Sequence, residues 1–157
     1  MSLYDRSAYT EEIFFDEVEV GKTFPPFRYR IGRDDIAEYL ESVDDSTPEF
    51  LDDASAKAAG FDGAIVPPFA ILNYGFIYQA MRRRPPTGNL NTSCEFSFMA
   101  TVRHDDELTL NLRIADKYEK RGRNYVRFEA DVDSEGTPVA KAVIDLMFPN
   151  RPDPKRA

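Results

Sequence analysis

The chain has 157 residues, of which 42% are hydrophobic, and it contains no apolar run long enough to cross a bilayer. This length and composition favour one domain around a single core, residues 1–157, with no membrane association. The formal net charge is -8, and nonspecific nucleic-acid binding depends on Lys and Arg neutralising phosphates, so we expect no DNA or RNA partner. The first ten residues lack the basic and apolar stretches of a secretory signal, which predicts a cytoplasmic protein.

Residues typical of metal and cofactor sites are scarce in the sequence. The chain has one histidine, His104, and one cysteine, Cys94, whereas a metal site requires several such ligands at defined spacing. It has neither a Gly-rich phosphate loop nor a Gly-x-Ser-x-Gly motif, so we expect no metal and no cofactor. Two basic clusters, residues 82–84 and 117–123, are interpreted as a helix C-terminus and a solvated hairpin tip.

Local patterns in the first half of the chain predict one strand and two helices. Residues 27–31 alternate between apolar and polar side chains, as a strand does. A helix is predicted from Asp34, with apolar side chains at helical spacing, and it ends at residues 44–45. A second, short helix is predicted over residues 53–59, where Gly60 terminates it.

A nearly all-apolar helix is predicted over residues 69–81, directly after Pro67 and Pro68. Apart from Asn73 and Gln79 it is apolar on almost every side. A helix of this kind has to be buried, so it is predicted to lie at the centre of the domain.

Four segments of alternating side chains follow, which predicts strands at residues 91–100, 108–118, 124–133 and 138–148. Turn residues separate them, so neighbouring strands are expected to be antiparallel. Burying both the apolar helix and one face of the sheet requires the sheet to wrap around the helix. The predicted fold is α+β with the hotdog topology, an antiparallel sheet around a long central helix. Its core spans residues 15–148, and residues 149–157 are predicted to form a flexible tail.

Residues 45–52, Asp-Ser-Thr-Pro-Glu-Phe-Leu-Asp, resemble the Asp-x-Asn-Pro-x-His-x-Asp motif of the MaoC-like dehydratases and (R)-specific enoyl-CoA hydratases. Residues 56–61 are similar to the family's Ala-x-x-x-Gly-Phe segment, and residues 64–69 stand where the family begins its central helix with Ile-Val/Ala-His-Gly-Met. Residues 95–108 resemble its Phe-x-x-Pro-Val-x-x-Gly-Asp-x-Leu segment. The resemblance extends over residues 15–148 and implies a hotdog fold with an acyl-CoA or acyl-carrier thioester as ligand.

In catalytic members of this family, an Asp and a His five residues later act as a pair. They activate water for its addition to an acyl thioester, or assist its elimination from one. The resemblance implies that Asp45 is the catalytic carboxylate and that Thr47 stands at the Asn position. Phe50 occupies the histidine position and cannot exchange a proton. A carboxylate beside Ser-Thr-Pro after a helix is also common turn chemistry, so a structural role for Asp45 stays open.

The start of the central helix departs from the family pattern as well. Family members use the backbone N–H of the Gly in His-Gly-Met as a donor to the thioester carbonyl. The matching residue here is Pro68, which has no N–H. Loss of such a donor typically reduces the rate by about 100- to 1,000-fold. The amide of Phe69 or Ala70 would replace it if the loop were shifted by one residue.

The sequence around Pro68 is similar to the N-terminal, non-catalytic half of double-hotdog dehydratases, the FAS1-like dehydratase hotdog, and to its stand-alone counterparts. In those proteins a partner hotdog supplies the Asp and the His. The resemblance implies a subunit that lines an acyl tunnel and forms a homodimer, or a heterodimer with a catalytic hotdog subunit. The residues predicted to contact the substrate are Thr47, Phe50, Pro68, Phe69 and Asn73.

Three functions follow from these observations and stay open. The first is thioester binding by a non-catalytic subunit, and the second is enoyl-thioester hydration or dehydration with Asp45 as the base. The third is an acyl-CoA thioesterase in which Glu49 or Asp45, together with Asn73, directs water onto the thioester carbonyl. A buried amide such as Asn73 needs a hydrogen-bond partner, so an internal hydrogen bond is an equal alternative to ligand contact.

Overall fold

A computed structural model describes residue 7 and residues 9–73 and 75–152 of the chain. The strands are β1 Phe27–Tyr29, β2 Leu90–Phe98, β3 Leu108–Lys120, β4 Arg123–Ser134 and β5 Thr137–Phe148. The helices are α1 Arg33–Ser42, α2 Asp53–Ala58, α3 Pro68–Ile71 and α4 Gly75–Met81, with 3-10 turns at Phe15–Glu17 and Pro48–Phe50. The predicted α+β class is confirmed.

The five strands form one antiparallel sheet in the order β1-β3-β4-β5-β2. The bounds of all five strands agree with the sequence prediction to within two residues. Arg121 and Gly122 connect β3 to β4 with φ angles of 53° and 72°, the left-handed conformation that a two-residue hairpin turn requires. Among the described residues, the outer side of the edge strand β2 has no pairing strand.

One face of the sheet packs against the central helix and forms the core. Along β3 and β4 every second side chain is buried on this face, and the series is Leu108, Leu110, Leu112, Ile114, Val126, Phe128, Ala130 and Val132. On α4, Phe76 and Ile77 are both 0% exposed, as expected for a helix without a polar side. No helix in the described part of the chain has both the length and the apolar character needed to span a bilayer.

The central helix runs from Pro68 to Met81 in two segments, an interruption that the apolar pattern did not predict. Leu72 is extended, with φ of -143° and ψ of 110°, and ends α3. The carbonyl of Ile71 accepts a hydrogen bond from the buried Tyr29 hydroxyl at 2.6 Å. The amide of Gly75 donates to the side-chain oxygen of Asn73 at 2.7 Å. Side chains therefore satisfy backbone groups on both sides of the break, which a buried helix end requires.

The C-terminal tail, predicted to be flexible, is described as far as residue 152. In that portion, the Arg151 guanidinium lies 3.1 Å from carboxylate oxygens of both Asp16 and Glu17. It also lies 4.2 Å from the ring centre of Phe14. Residues 153–157 lie outside the described residues, so the flexibility of the tail stays a prediction.

Candidate functional site

An apolar pocket lies where the central helix begins, between the loop after α1 and the end of β2. Its volume is about 400 Å³. The lining residues are Phe50, Phe61, Ile65, Val66, Pro68, Ile71, Phe98, Met99, Ala100 and Thr101. Because nine of these ten side chains carry no polar group, the pocket suits an apolar ligand group rather than a charged one.

The loop that carries Phe50 begins where α1 ends. The amide of Asp44 donates to the carbonyl of Glu41 at 3.3 Å, and the amide of Asp45 donates to the carbonyl of Leu40 at 3.0 Å. Asp44 has a φ of 53°, so the helix ends in a Schellman turn with aspartate where glycine is usual. The helix accordingly ends at Ser42, slightly before the predicted end.

The carboxylate of Asp45 is engaged within its own turn. Its Oδ1 accepts hydrogen bonds from the amide of Thr47 at 2.9 Å and from the hydroxyl of Thr47 at 2.7 Å. These hydrogen bonds, the hydroxyl first, favour the ionised form and hold the pKa of Asp45 below its ordinary value. Burial, together with the nearby Asp45 carboxylate, raises the pKa of the Tyr39 hydroxyl. The arrangement is the turn chemistry that the sequence offered as the structural alternative for Asp45.

The backbone of Phe50 is held by the only histidine of the chain. Nε2 of His104 lies 3.0 Å from the carbonyl oxygen of Phe50, while the Phe50 ring packs against the hydrophobic core. His104 lines a separate, polar cavity of about 530 Å³ together with Arg33 and Arg103. No imidazole of this chain therefore lines the apolar pocket.

Pro68 is the first residue of α3 and lines the apolar pocket. It contributes no N–H donor there. Of the two amides that would replace this donor after a shift of one residue, the amide of Ala70 donates to the carbonyl of Pro67 at 2.9 Å. Of these two amides, the one of Phe69 makes no backbone hydrogen bond with the described residues, so it is the candidate replacement donor.

The side chain of Phe69 lies outside the pocket, on an aromatic cluster at the edge strand. Its ring meets the rings of Phe96 and Phe98 edge-on, at centroid distances of 5.5 Å and 5.2 Å. Phe69 remains 54% exposed, as does Met99 directly after β2. Phe69 and Met99 therefore leave exposed apolar side chains at the edge of the sheet.

Two of the six predicted site residues, Phe50 and Pro68, come together in the lining of the apolar pocket. The other four lie outside its lining, and they are Asp45, Thr47, Phe69 and Asn73. Asn73 makes the internal hydrogen bond to Gly75 that was one of its two alternatives. The contact of all six with a substrate stays a prediction.

The pocket also contains residues that the sequence did not single out. Met99 and Thr101 follow β2 and line the pocket beside Phe98. The alternation of Phe96 and Phe98 along β2 is the signal that indicates an apolar surface here, since both side chains lie on one face of the strand.

Comparison with known proteins agrees with the family resemblance. Residues 19–142 match the family described as FAS1-like, dehydratase domain region. A UPF0336 protein from Streptomyces griseus is 31% identical over 140 residues, which cover 84% of this chain and 93% of the relative.

Solved structures give the same fold. The unliganded R-hydratase PhaJ1 from Pseudomonas aeruginosa has a TM-score of 0.73 at 23% identity, covering 89% of this chain and 88% of the other. The C-terminally truncated HadBC (3R-hydroxyacyl-ACP dehydratase) complex from Mycobacterium tuberculosis has a TM-score of 0.71 at 21% identity, covering 82% and 96%. These likenesses confirm the hotdog fold. The chain belongs to the FAS1-like dehydratase domain family.

Proposed function

We propose that this chain is the non-catalytic, thioester-binding hotdog subunit of a MaoC-like dehydratase or hydratase and acts with a catalytic hotdog partner in the cytoplasm. The observation that carries the proposal is Phe50. At the position where catalytic relatives transfer a proton, this chain places a phenyl ring in the wall of an apolar pocket of about 400 Å³. The acyl part of a CoA or carrier-protein thioester is the ligand group that suits such a pocket.

The state of Asp45 supports binding rather than hydration by this chain alone. A general base works best when its pKa lies near the operating pH, whereas hydrogen bonds from Thr47 hold the pKa of Asp45 below its ordinary value. The thioesterase alternative needs Asn73 to direct water, yet its side-chain oxygen already accepts the Gly75 amide. The hydrogen bonds of both side chains are thus local, and neither Asp45 nor Asn73 lines the apolar pocket.

The edge strand β2 supports pairing with a second hotdog chain. An open edge of nine residues is a template for further strand pairing. Exposed apolar side chains lie at its two ends, with Leu90 at 55% exposure at its start and Met99 at 54% directly after it. A homodimer would contain Phe50 in both copies and no His at either position. We therefore favour a heterodimer, in which the partner supplies the Asp-His pair, and the likeness to the HadBC complex supports this choice.

Thioester binding is tested by filling the pocket at its exposed rim. Thr101 lines the pocket and is exposed, so Thr101→Trp places a large ring at the pocket without altering the core. Thr137→Trp is the matched control, because Thr137 is an exposed residue at the start of β5 outside the pocket. Binding is measured as the rise in melting temperature with butyryl-CoA, a saturated thioester that cannot be hydrated.

A ligand at ten times its Kd stabilises a protein by about 1.4 kcal/mol, which is well within the range of a melting curve. We expect the wild type and Thr137→Trp to be stabilised and Thr101→Trp to show no shift. An equal shift in all three proteins would place the thioester elsewhere and contradict the proposal.

A further inference from the structure

A further pocket, the outer-face pocket, lies on the side of the sheet that faces away from the central helix. Its volume is about 400 Å³, and it is lined by Ser93, Tyr118, Lys120, Arg121, Tyr125 and Arg127, with Asp145 buried among them. Ser93 and Arg127 both pair with Asp145 in the strand register, so the three side chains share one face. On β5, Ile144 and Leu146 are buried toward the helix, which identifies the Asp145 side as the outer face.

The only carboxylate in the lining is neutralised. Asp145 is 7% exposed and is the one buried charged residue in the described part of the chain. The guanidinium of Arg127 meets it with two hydrogen bonds of 2.8 Å, one to each carboxylate oxygen. Such a bidentate pair fixes the carboxylate and cancels its charge. Asp145 therefore does not repel an anion from the pocket.

Two further cations in the pocket have no internal partner. In the described part of the chain, neither Lys120 nor Arg121 forms a salt bridge or a side-chain hydrogen bond. Both are exposed at the tip of the β3–β4 hairpin. Arg121 occupies a left-handed turn position, φ 53°, where Asn, Asp or Gly is usual. In a chain of net charge -8, these two side chains form a local positive site.

Neutral donors lie beside these cations. The rings of Tyr118 and Tyr125 stack across strands at a centroid distance of 5.1 Å and an interplanar angle of 7°. Burial, with the nearby Asp145 carboxylate, raises the pKa of the Tyr118 hydroxyl, so this hydroxyl stays protonated and able to donate. The hydroxyl of Ser93 lies in the same lining. Lysine, arginine and hydroxyl donors in one small cavity are the groups that bind phosphate oxygens.

We propose that the outer-face pocket binds the phosphate group of a small phosphate ester or diphosphate, with Lys120 and Arg121 as the charged contacts. The site goes beyond the thioester function, because it lies on the opposite face of the sheet from the central helix. It also lies at the start of β2, whereas the apolar pocket lies at the end of that strand. The net charge of -8 disfavours a polyanionic nucleic acid, so the ligand class that fits this pocket of about 400 Å³ is a small molecule.

Calorimetric titration at low ionic strength tests the site, with pyrophosphate and adenosine 3′,5′-diphosphate as the probes. Arg121→Asn removes the charge and keeps a residue that suits the left-handed turn. Arg82→Asn is the matched control, because Arg82 is exposed, has the same φ of 53° and lies outside the pocket. Lys120→Gln tests the second cation without altering the turn residue.

We expect Arg121→Asn and Lys120→Gln each to weaken binding by about tenfold, and Arg82→Asn to leave it unchanged. If adenosine 3′,5′-diphosphate binds more tightly than pyrophosphate, the ligand of the pocket is a nucleotide. If the two probes bind equally, the pocket recognises the phosphate groups alone. The proposal is overturned if the wild type shows no saturable binding tighter than about 10 mM, or if all three variants bind as it does.

Discussion

The two segments of the central helix come from one apolar run, yet they have different surroundings. On α4, Phe76 is 0% exposed and its ring lies 4.8 Å from that of Tyr29. On α3, Phe69 is 54% exposed, and its ring packs edge-on against Phe96 and Phe98. The difference shows that apolar composition marks both the core of this domain and the surface that we assign to ligand and partner binding.

The break at Leu72 separates these two environments. Because Tyr29 and Asn73 satisfy backbone groups on either side of it, the start of α3 is able to line the apolar pocket while α4 fills the core. The predictions that follow test whether Phe76 of α4 and the break determine stability while the exposed Phe69 of α3 does not.

The largest expected effect comes from Phe76→Ala in α4. Removing a fully buried phenyl ring leaves a cavity and costs about 3–5 kcal/mol of the free energy of unfolding. Urea denaturation followed by circular dichroism measures this loss. A loss below 1 kcal/mol would show that the core does not depend on α4 as described.

The second effect concerns the hydroxyl that holds the break. Tyr29→Phe leaves the Ile71 carbonyl without its side-chain donor in a buried position, which we expect to cost about 1–3 kcal/mol in the same denaturation experiment. The variant keeps the ring and its contact with Phe76, so a loss of stability is assigned to the missing hydroxyl. An unchanged stability would mean that the carbonyl finds another donor.

Asn73→Ala removes the cap of the Gly75 amide at the start of α4. Loss of such a cap costs about 1 kcal/mol. Asn91→Ala is the control, since the Asn91 side chain bonds only to the exposed Cys94 in the described part of the chain, and its change should stay within about 0.5 kcal/mol. Equal losses in the two variants would argue against a capping role for Asn73.

Phe69→Ala is expected to change the free energy of unfolding by less than about 1 kcal/mol, because most of its ring is exposed. Comparison with Phe76→Ala in α4 sharpens the contrast between the segments. If both substitutions reduce stability equally, the Phe69 side chain belongs to the core and cannot form the proposed association surface.

The smallest effect is local to the turn after α1. Thr47→Val removes the hydroxyl that bonds Asp45, so the pKa of Asp45 should rise toward its ordinary value of 3.8, as followed by NMR titration. Since the folded-state pKa is depressed, Asp45 stabilises the fold above pH 3.8, and this contribution is lost as the pH falls through the lower folded value. The variant should lose less stability on acidification, and an unshifted Asp45 pKa would contradict the assigned hydrogen bond.

Much of the fold follows from local patterns, whereas the site depends on distant contacts. The two-residue alternation of β3 and β4 and the apolar run of α4 predict their burial, since both signals are contained within one element. The break at Leu72 depends on the hydroxyl of Tyr29, 42 residues away from its acceptor, which no local pattern reveals.

Residue identity predicted the chemistry of the site better than its geometry. Phe50 and Pro68 indicate from sequence that a proton carrier and an N–H donor are missing. The exposure of Phe69 follows from the placement of β2 at the sheet edge, which is a property of strand order and not of the residue itself.

The most direct test of the account is the hydration of a short trans-2-enoyl-CoA by the purified chain, followed by loss of the ultraviolet enoyl band at high protein concentration. The account predicts that the wild type and Asp45→Asn are equally inactive, while butyryl-CoA still raises the melting temperature of both. Turnover by the wild type that Asp45→Asn abolishes would show that Asp45 is a catalytic residue and that the chain is not a non-catalytic subunit.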